Sequence, residues 1–402
     1  MNMNGQMKSL LAMLLICGMA MLSSCESPEW KETGLLPPEP MQVSVRPAAV
    51  GSFFILMEDG GLWLWGWHTL RLFLDEPVEN YYAPVKIMDN VVAVSCSVLH
   101  TMAIKSDGVL WAWGNNMHRQ ISSGLETARE HRHAPMHIMD DVISVHADSG
   151  QTFAITSDGA LWAWGRNWDG LLGYEESEMR YADAPVRIMN DALAVTSRRH
   201  AAAIRHDNTL WVWGGNQYSN LGDGARVRYR HAPAQVMKDV VYVSVGFDRT
   251  MAITIDGALW AWGGNDRGQL GDGTTRSRRQ PVRIKDNVVA VTSGTRHTLA
   301  ITSDGALWAW GDNRFGQLGD GAMQDRHSPV KIMENVVYAS AIFSRSMAIT
   351  RDGSVWAWGE NSGGGLGIGT LRGAWERGPF QRGEMDSAWL SPMQVMVYAQ
   401  AE

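Results

Sequence analysis

Between Pro281 and Gly321 the chain changes character every few residues in a fixed order. Pro281-Val282-Arg283-Ile284 alternates apolar with polar positions, as a half-buried strand does. After Asp286-Asn287 comes the wholly apolar Val288-Val289-Ala290-Val291, the pattern of a strand covered on both faces. His297-Thr298-Leu299-Ala300-Ile301 forms a third strand, and Ser303-Asp304-Gly305 joins it to Leu307-Trp308-Ala309-Trp310. Asp-Gly between apolar runs predicts a tight hairpin whose two turn residues both take positive φ. A glycine-rich loop, Gly311 to Gly319, then leads towards Pro329, where the order begins again. No helical period competes with this reading.

The Trp-x-Trp element is the clearest marker of the repeat. It occurs at Trp63/Trp65, Trp111/Trp113, Trp162/Trp164, Trp211/Trp213, Trp260/Trp262, Trp308/Trp310 and Trp356/Trp358, spaced by 48, 51, 49, 49, 48 and 48 residues. Four short strands at this period predict an all-β, seven-bladed β-propeller of four-stranded antiparallel blades. Residues two apart in a strand share a face, so both indoles of a pair should pack on one neighbouring blade. Leu307 and Ala309 should then pack on the other. The tryptophan pairs are thus architecture; a carbohydrate platform would not need all seven copies. The first unit, Val43 to Gly66, has no outer strand before it, and Pro392-Met393-Gln394-Val395-Met396 is an outer strand with no Trp-x-Trp after it. Pairing of the N- and C-terminal segments in one composite blade should therefore close the ring and remove exposed sheet edges.

Composition narrows the picture only slightly. Apolar residues make up 45% of the chain and charged ones 19%, which suits a core-forming protein. A net charge of −7 gives no general attraction to nucleic acid, so none is expected as a partner. Of the three cysteines, Cys17 and Cys25 lie at the amino terminus, leaving Cys96 alone to fill a small apolar space in a strand end.

The amino terminus reads as an address. Ser9 to Leu22 is a short apolar run that leads into Leu22-Ser23-Ser24-Cys25. This resembles the lipobox of bacterial lipoproteins, which implies lipidation of Cys25, export, and attachment to the cell membrane outside the cytoplasm. A plain secretory signal is the alternative. The expected organisation is a signal peptide at 1–24, a lipidated, proline-rich tether at 25–42, a propeller at 43–397 and a tail at 398–402.

The repeats resemble the regulator-of-chromosome-condensation repeat family. The pattern is Val-x-Val-Ser-x-Gly-x-x-His-Thr-x-Ala-Ile-Thr-x-Asp-Gly-x-Leu-Trp-x-Trp-Gly-x-Asn-x-x-Gly-Gln-Leu-Gly-Asp-Gly, clearest at residues 243–273 and 291–321. The resemblance covers about residues 41–397 and implies a seven-bladed propeller that works by binding proteins. The family's founding activity, nucleotide exchange on a chromatin-bound GTPase, is not carried over to an exported chain. Exported relatives that inhibit β-lactamases through loops make inhibition of a secreted enzyme one alternative. The first copy lacks the Asn-x-x-Gly-Gln-Leu-Gly loop, and the fourth has Asp207-Asn208 in place of Asp-Gly.

Alternating strand direction assigns the turns to two faces. The Asp-Gly turns and the connections between blades share one face, which should be acidic through Asp59, Asp107, Asp158, Asp207, Asp256, Asp304, Asp352 and their neighbours. The other face collects the turns after the inner strands and the long loops after Trp-x-Trp. From the turns come Arg198, Arg199, Phe247, Arg249, Arg296, Phe343 and Arg345; from the loops come Trp168, Tyr218 and Phe315. Arginine with aromatics is the composition of protein interfaces, so these residues form the expected partner-binding set. The last long loop is enlarged at 367–391, and its Trp375 and Phe380 either form a partner-binding finger or brace closure.

Catalytic motifs are missing: no phosphate-binding loop, no His-Glu-x-x-His, no nucleophile elbow. The Gly-Asp-Gly tripeptides at Asp223, Asp272 and Asp320 offer one carboxylate each, short of a calcium donor set, and His131, His133 and His137 lack a matching carboxylate pattern. No metal, cofactor or enzymatic activity is expected. The sequence thus points to a monomeric, membrane-tethered propeller that binds a protein partner. Recognition of an anionic envelope polymer is the second reading, and a hydrolase at the channel mouth the third.

Overall fold

The computed structural model describes residues 41–43, 47–51, 54–57, 59–64, 85–97, 99–121, 132–174, 180–361, 366 and 390–398. They form seven antiparallel sheets of four sequence-consecutive strands each, arranged as a propeller. The sixth blade is typical: Val288–Ser293 innermost, then His297–Thr302, Leu307–Gly311 and Arg326–Met333 outermost.

The termini meet, though not in a composite blade. The first unit carries its own outer strand, Val85–Met88, and the seventh carries Met393–Tyr398. Met41–Val43 then adds to Met393–Tyr398 as a fifth, parallel strand, pairing Met41 with Met396. The outer strand belongs with the three strands before it because, beyond the long loop, it returns antiparallel to Trp-x-Trp, as Lys331 does to Trp308. Pro47–Gly51 packs against the two innermost strands of the seventh blade, which joins first blade to last.

The indoles divide the packing as alternation requires. Trp310 lies in one cluster with Met251, Leu259 and Leu270 of the fifth blade, while Leu307 and Ala309 lie in the next with Val336 and Ala348 of the seventh. The two indoles of a pair differ in role, however. Trp113, Trp164, Trp213, Trp262, Trp310 and Trp358 are fully buried. Their partners Trp111, Trp162, Trp211, Trp260, Trp308 and Trp356 are half-buried, as is Trp63, whereas Trp65 lies outside the described residues. Trp308 donates to Thr302 of its own hairpin at 3.2 Å and carries the Lys285 ammonium over its ring. Cys96 is buried beside Val94 and Trp113, as its apolar context suggested.

The Asp-Gly hairpins use a different turn from the expected one. Only the glycine takes positive φ, as at Gly305 (82°), and Asp304 does not. Asp304 instead accepts from the Ala306 N–H at 3.2 Å and the Thr302 hydroxyl at 2.6 Å, so a side chain rather than a second left-handed residue fixes the turn. Asn208 takes the left-handed position in the fourth copy (60°), which explains why that departure preserves the blade.

Candidate binding face

Backbone hydrogen bonds fix which loops share a face. The amide that opens each long loop donates to the turn after the inner strand of the same blade: Gly215 to Arg199, Gly264 to Asp248, Asp312 to Arg296. On the opposite face the Gly257 carbonyl of an Asp-Gly turn accepts from Val288, the first residue of the next blade.

In blades two to seven the long loop is held by an asparagine. The Asn313 carbonyl oxygen accepts from the Leu318 N–H at 3.0 Å, and its amide donates to Asp320 at 2.8 Å and to the Ala322 carbonyl at 3.0 Å. The same bond to the amide five residues on recurs at Asn116, Asn167, Asn216, Asn265 and Asn361. The leucine so positioned (Ile121 after Asn116) is buried, and where a Gly-Asp-Gly follows, its acid meets an arginine: Asp223 with Arg230, Asp272 with Arg278, Asp320 with Arg326. These acids therefore serve the loops. His137 likewise faces Asp140 at 2.7 Å.

A sequence profile of the RCC1-like domain matches residues 72–387, most of the chain. The chain belongs to the RCC1-like domain family.

Solved structures agree on this RCC1-like fold. Yeast (Saccharomyces cerevisiae) Prp20p superimposes with a TM-score of 0.68 at 18% identity, covering 88% of this chain and 87% of that one. Human WBSCR16 gives 0.64 at 19% identity over 74% and 85% of the two chains. In sequence, the chain is 25% identical to the human probable E3 ubiquitin-protein ligase HERC3 over 40% of its own length, which is 16% of that protein. It is 31% identical to the Arabidopsis thaliana ultraviolet-B receptor UVR8 over 29% of this chain and 28% of that one.

The RCC1-like ring divides the partner-binding set proposed from sequence. Trp168 is 63% exposed at a loop tip, and Tyr218 is 43% exposed on the next blade. Arg199 is exposed with its guanidinium 3.9 Å from the centroid of Phe247. Arg296, Phe315 and Phe343 are partly exposed. Arg198, Arg249 and Arg345 are buried, which corrects their place in a surface set. Arg249 and Arg345 stand where other blades have His100, His200 and His297, the residue that opens the second strand. The Arg249 guanidinium donates to the carbonyls of Gly294, Thr295 and His297 in the sixth blade and to Asp248. Arg198 ends an inner strand where the fifth and sixth blades have Gly246 and Gly294. Burial pushes its pKa down to about 10 and that of Asp148, on the adjoining blade, up to about 6, each partly offset by the other's charge. Trp375 and Phe380, residues 367–389 of the enlarged loop and Cys25 lie outside the described residues.

The expected separation of charge between the faces does not hold. The arginine face also carries Asp266, Asp312 and Asp325, which pair with Arg296, Arg314 and Arg267. On the opposite face, basic groups of the strands meet the acids, as in Lys86–Asp89, Arg205–Asp191, Arg283–Asp286 and Lys331–Glu334. Counting only the Asp-Gly and inter-blade acids concealed the aspartates of the long loops. Their regular spacing from an arginine, as in Asp272/Arg278 and Asp320/Arg326, was the signal available.

Sequence reasoning also missed a set of residues that tie blade to blade. His200 donates from Nε2 to Thr250 Oγ1 at 2.6 Å, because that hydroxyl spends its proton on the Asn220 carbonyl at 2.8 Å. The Asn220 amide donates in turn to His200 Nδ1 at 2.8 Å, so the imidazole is neutral with both nitrogens used. His100 with Thr152 and His297 with Ser346 repeat the Nε2 half of the arrangement, and His100 Nδ1 meets the Ser97 hydroxyl at 2.9 Å. Burial lowers the pKa of His100, His200 and His297 to about 3 each.

Proposed function

We propose that this RCC1-like ring is a binding scaffold, without catalysis of its own, which engages a protein partner through the long-loop face while lipid on Cys25 holds it to the outside of the cell membrane. The observation that supports this most is the exposure of Trp168 and Tyr218 on loops whose backbones are pinned by Asn167 and Asn216, and of Tyr229 at the start of the strand beyond the second of them. A large aromatic held in water by a rigid loop is the feature expected of an interface anchor. Prp20p, which shares the fold, is described as binding Gsp1p and histones and has been solved with Kap60, so similar rings do serve protein recognition.

Binding of the purified full chain to proteins extracted from its own cell envelope tests this reading. Trp168→Ala/Tyr218→Ala/Tyr229→Ala should abolish retention of specific partners, while Ile255→Ser on the opposite face should not. Equal retention by both variants would contradict a loop-face site. Cys25→Ser should move the protein from the membrane to the soluble fraction; unchanged detergent partitioning would remove the lipid anchor from the account.

A further inference from the structure

The arginines of the long-loop face fall into two kinds. Arg230, Arg278 and Arg326 occupy equivalent places and each meets the aspartate of its own loop. Arg226, Arg228, Arg276 and Arg279 are exposed on the fourth and fifth blades, outside that pairing. They lie on one continuous stretch of surface. The backbone of the fourth-blade loop runs against its own tip, Asn216 donating to the Arg228 and Val227 carbonyls at 2.7 and 3.0 Å. Gly224 donates to the Arg279 carbonyl of the fifth blade at 3.1 Å, which joins the two loops. From the third blade, the turn Trp168–Gly170 packs onto the Tyr229–Met237 strand.

Two chemistries are therefore interleaved there. Guanidiniums that meet no acid among the described residues alternate with apolar side chains left in water: Val227 and Tyr229 are 44% and 46% exposed, and Trp168 packs alongside at 63%. Arg119, Arg230, Arg267, Arg278, Arg314 and Arg326 have acids supplied by this chain, whereas these four meet none among the described residues and can take acids from elsewhere. A bare anionic polymer would neutralise them but leave the aromatics uncovered, whereas an acidic polypeptide bearing aromatic or aliphatic side chains would satisfy both.

Resting on the loop-face reading above, we infer that the partner presents an acidic segment interspersed with apolar residues, which docks across blades three to five with its carboxylates on Arg226, Arg228, Arg276 and Arg279.

The test is fluorescence anisotropy of the full chain with a labelled random copolymer of glutamate and tyrosine, compared with polyglutamate and with heparin. The copolymer should bind more tightly than either. Arg226→Ala/Arg228→Ala/Arg276→Ala/Arg279→Ala should weaken it by about tenfold or more, and Trp168→Ala/Tyr229→Ala by about tenfold, roughly the scale of one interface anchor. Lys86→Ala/Lys331→Ala on the opposite face serves as control, and unchanged melting temperatures show that all variants are folded. Copolymer binding that ignores the four-arginine variant overturns the inference. Heparin binding as tightly as the copolymer, with no effect of Trp168→Ala/Tyr229→Ala, overturns it in favour of a plain polyanion. Failure of these probes while envelope proteins still require Trp168, Tyr218 and Tyr229 would refute only the acidic class of partner. Failure of both would refute the loop-face site itself.

Discussion

The indole Nε1–H of Trp310 donates to the Gln269 carbonyl at 3.0 Å across a blade boundary, 41 residues back along the chain. Thr298 of the same blade as Trp310 donates to the same oxygen at 2.9 Å. One carbonyl at the foot of a long loop is thus gripped twice by the next blade. The arrangement recurs at Gln120, Asn220 and Gln317, so the loop that carries a surface residue is anchored by the neighbour's core.

Removing the buried indole should therefore cost much more than removing its half-buried companion. Trp310→Ala should lose about 3–5 kcal/mol, the range for a large core aromatic. Trp310→Phe should lose only about 1–2 kcal/mol, because Thr298 still satisfies the Gln269 carbonyl. Trp308→Ala, which removes only a half-buried ring at the rim of the inter-blade seam, should fall below Trp310→Ala. Urea denaturation of the three variants checks the order, and equal losses at 308 and 310 would contradict it.

The buried arginine at position 249 should behave as framework. Arg249→Ala removes a charged donor from three carbonyls and the cation beside buried Asp248, and should cost about 3–5 kcal/mol, the range for breaking a buried charge pair. Arg199→Ala, exposed on the same face, should stay within about 0.5 kcal/mol of the parent. Thermal melts of both variants decide the matter; a large loss at Arg199 with none at Arg249 would reverse the assignment.

Stability should fall as the solution is acidified. The folded pKa of His100, His200 and His297 is about 3, below the ordinary 6.5, so the unfolded chain binds more protons below about pH 6.5. That stability is complete above pH 6.5 and is lost progressively down to about pH 3. Asp148, raised from 3.8 to about 6, works the other way: its contribution is present at low pH and is lost as pH rises through 6. Burial lowers His146 to about 4 and so adds a fourth histidine, while burial also raises Asp248; four histidines against two carboxyls leave the net loss on the acid side. His200→Gln, which copies the natural Gln151 at the equivalent place, should flatten the fall in denaturation midpoint between pH 6.5 and 4.5 by about one histidine's share. An unchanged slope would contradict the buried neutral imidazole.

Blade number and strand order were legible because alternation, Asp-Gly and Trp-x-Trp are local signals repeated at one period. The burial of Arg249 was legible only by register: Arg249-Thr250 aligns with His297-Thr298, so the arginine stands in a core position whatever its charge suggests. Arg198 was harder, since a glycine position gives no hint that its side chain finds Asp148 on the adjoining blade. The pairing of loop acids with loop arginines depends on how far each loop folds back, which periodicity alone does not reveal. The exposed tips are different again. Trp168 and Tyr218 were identified from sequence because no strand pattern claimed them, and both are exposed.

Side-selective binding is tested most directly by photocross-linking in the cells that make the protein. A photoreactive phenylalanine analogue at Tyr218, 43% exposed on the long-loop face, is compared with one at Ile255, 66% exposed on the opposite face. The account predicts a discrete protein adduct from position 218, lost when Trp168→Ala/Tyr229→Ala is added, and none from position 255. The same adduct from position 255, with none from 218, would contradict it.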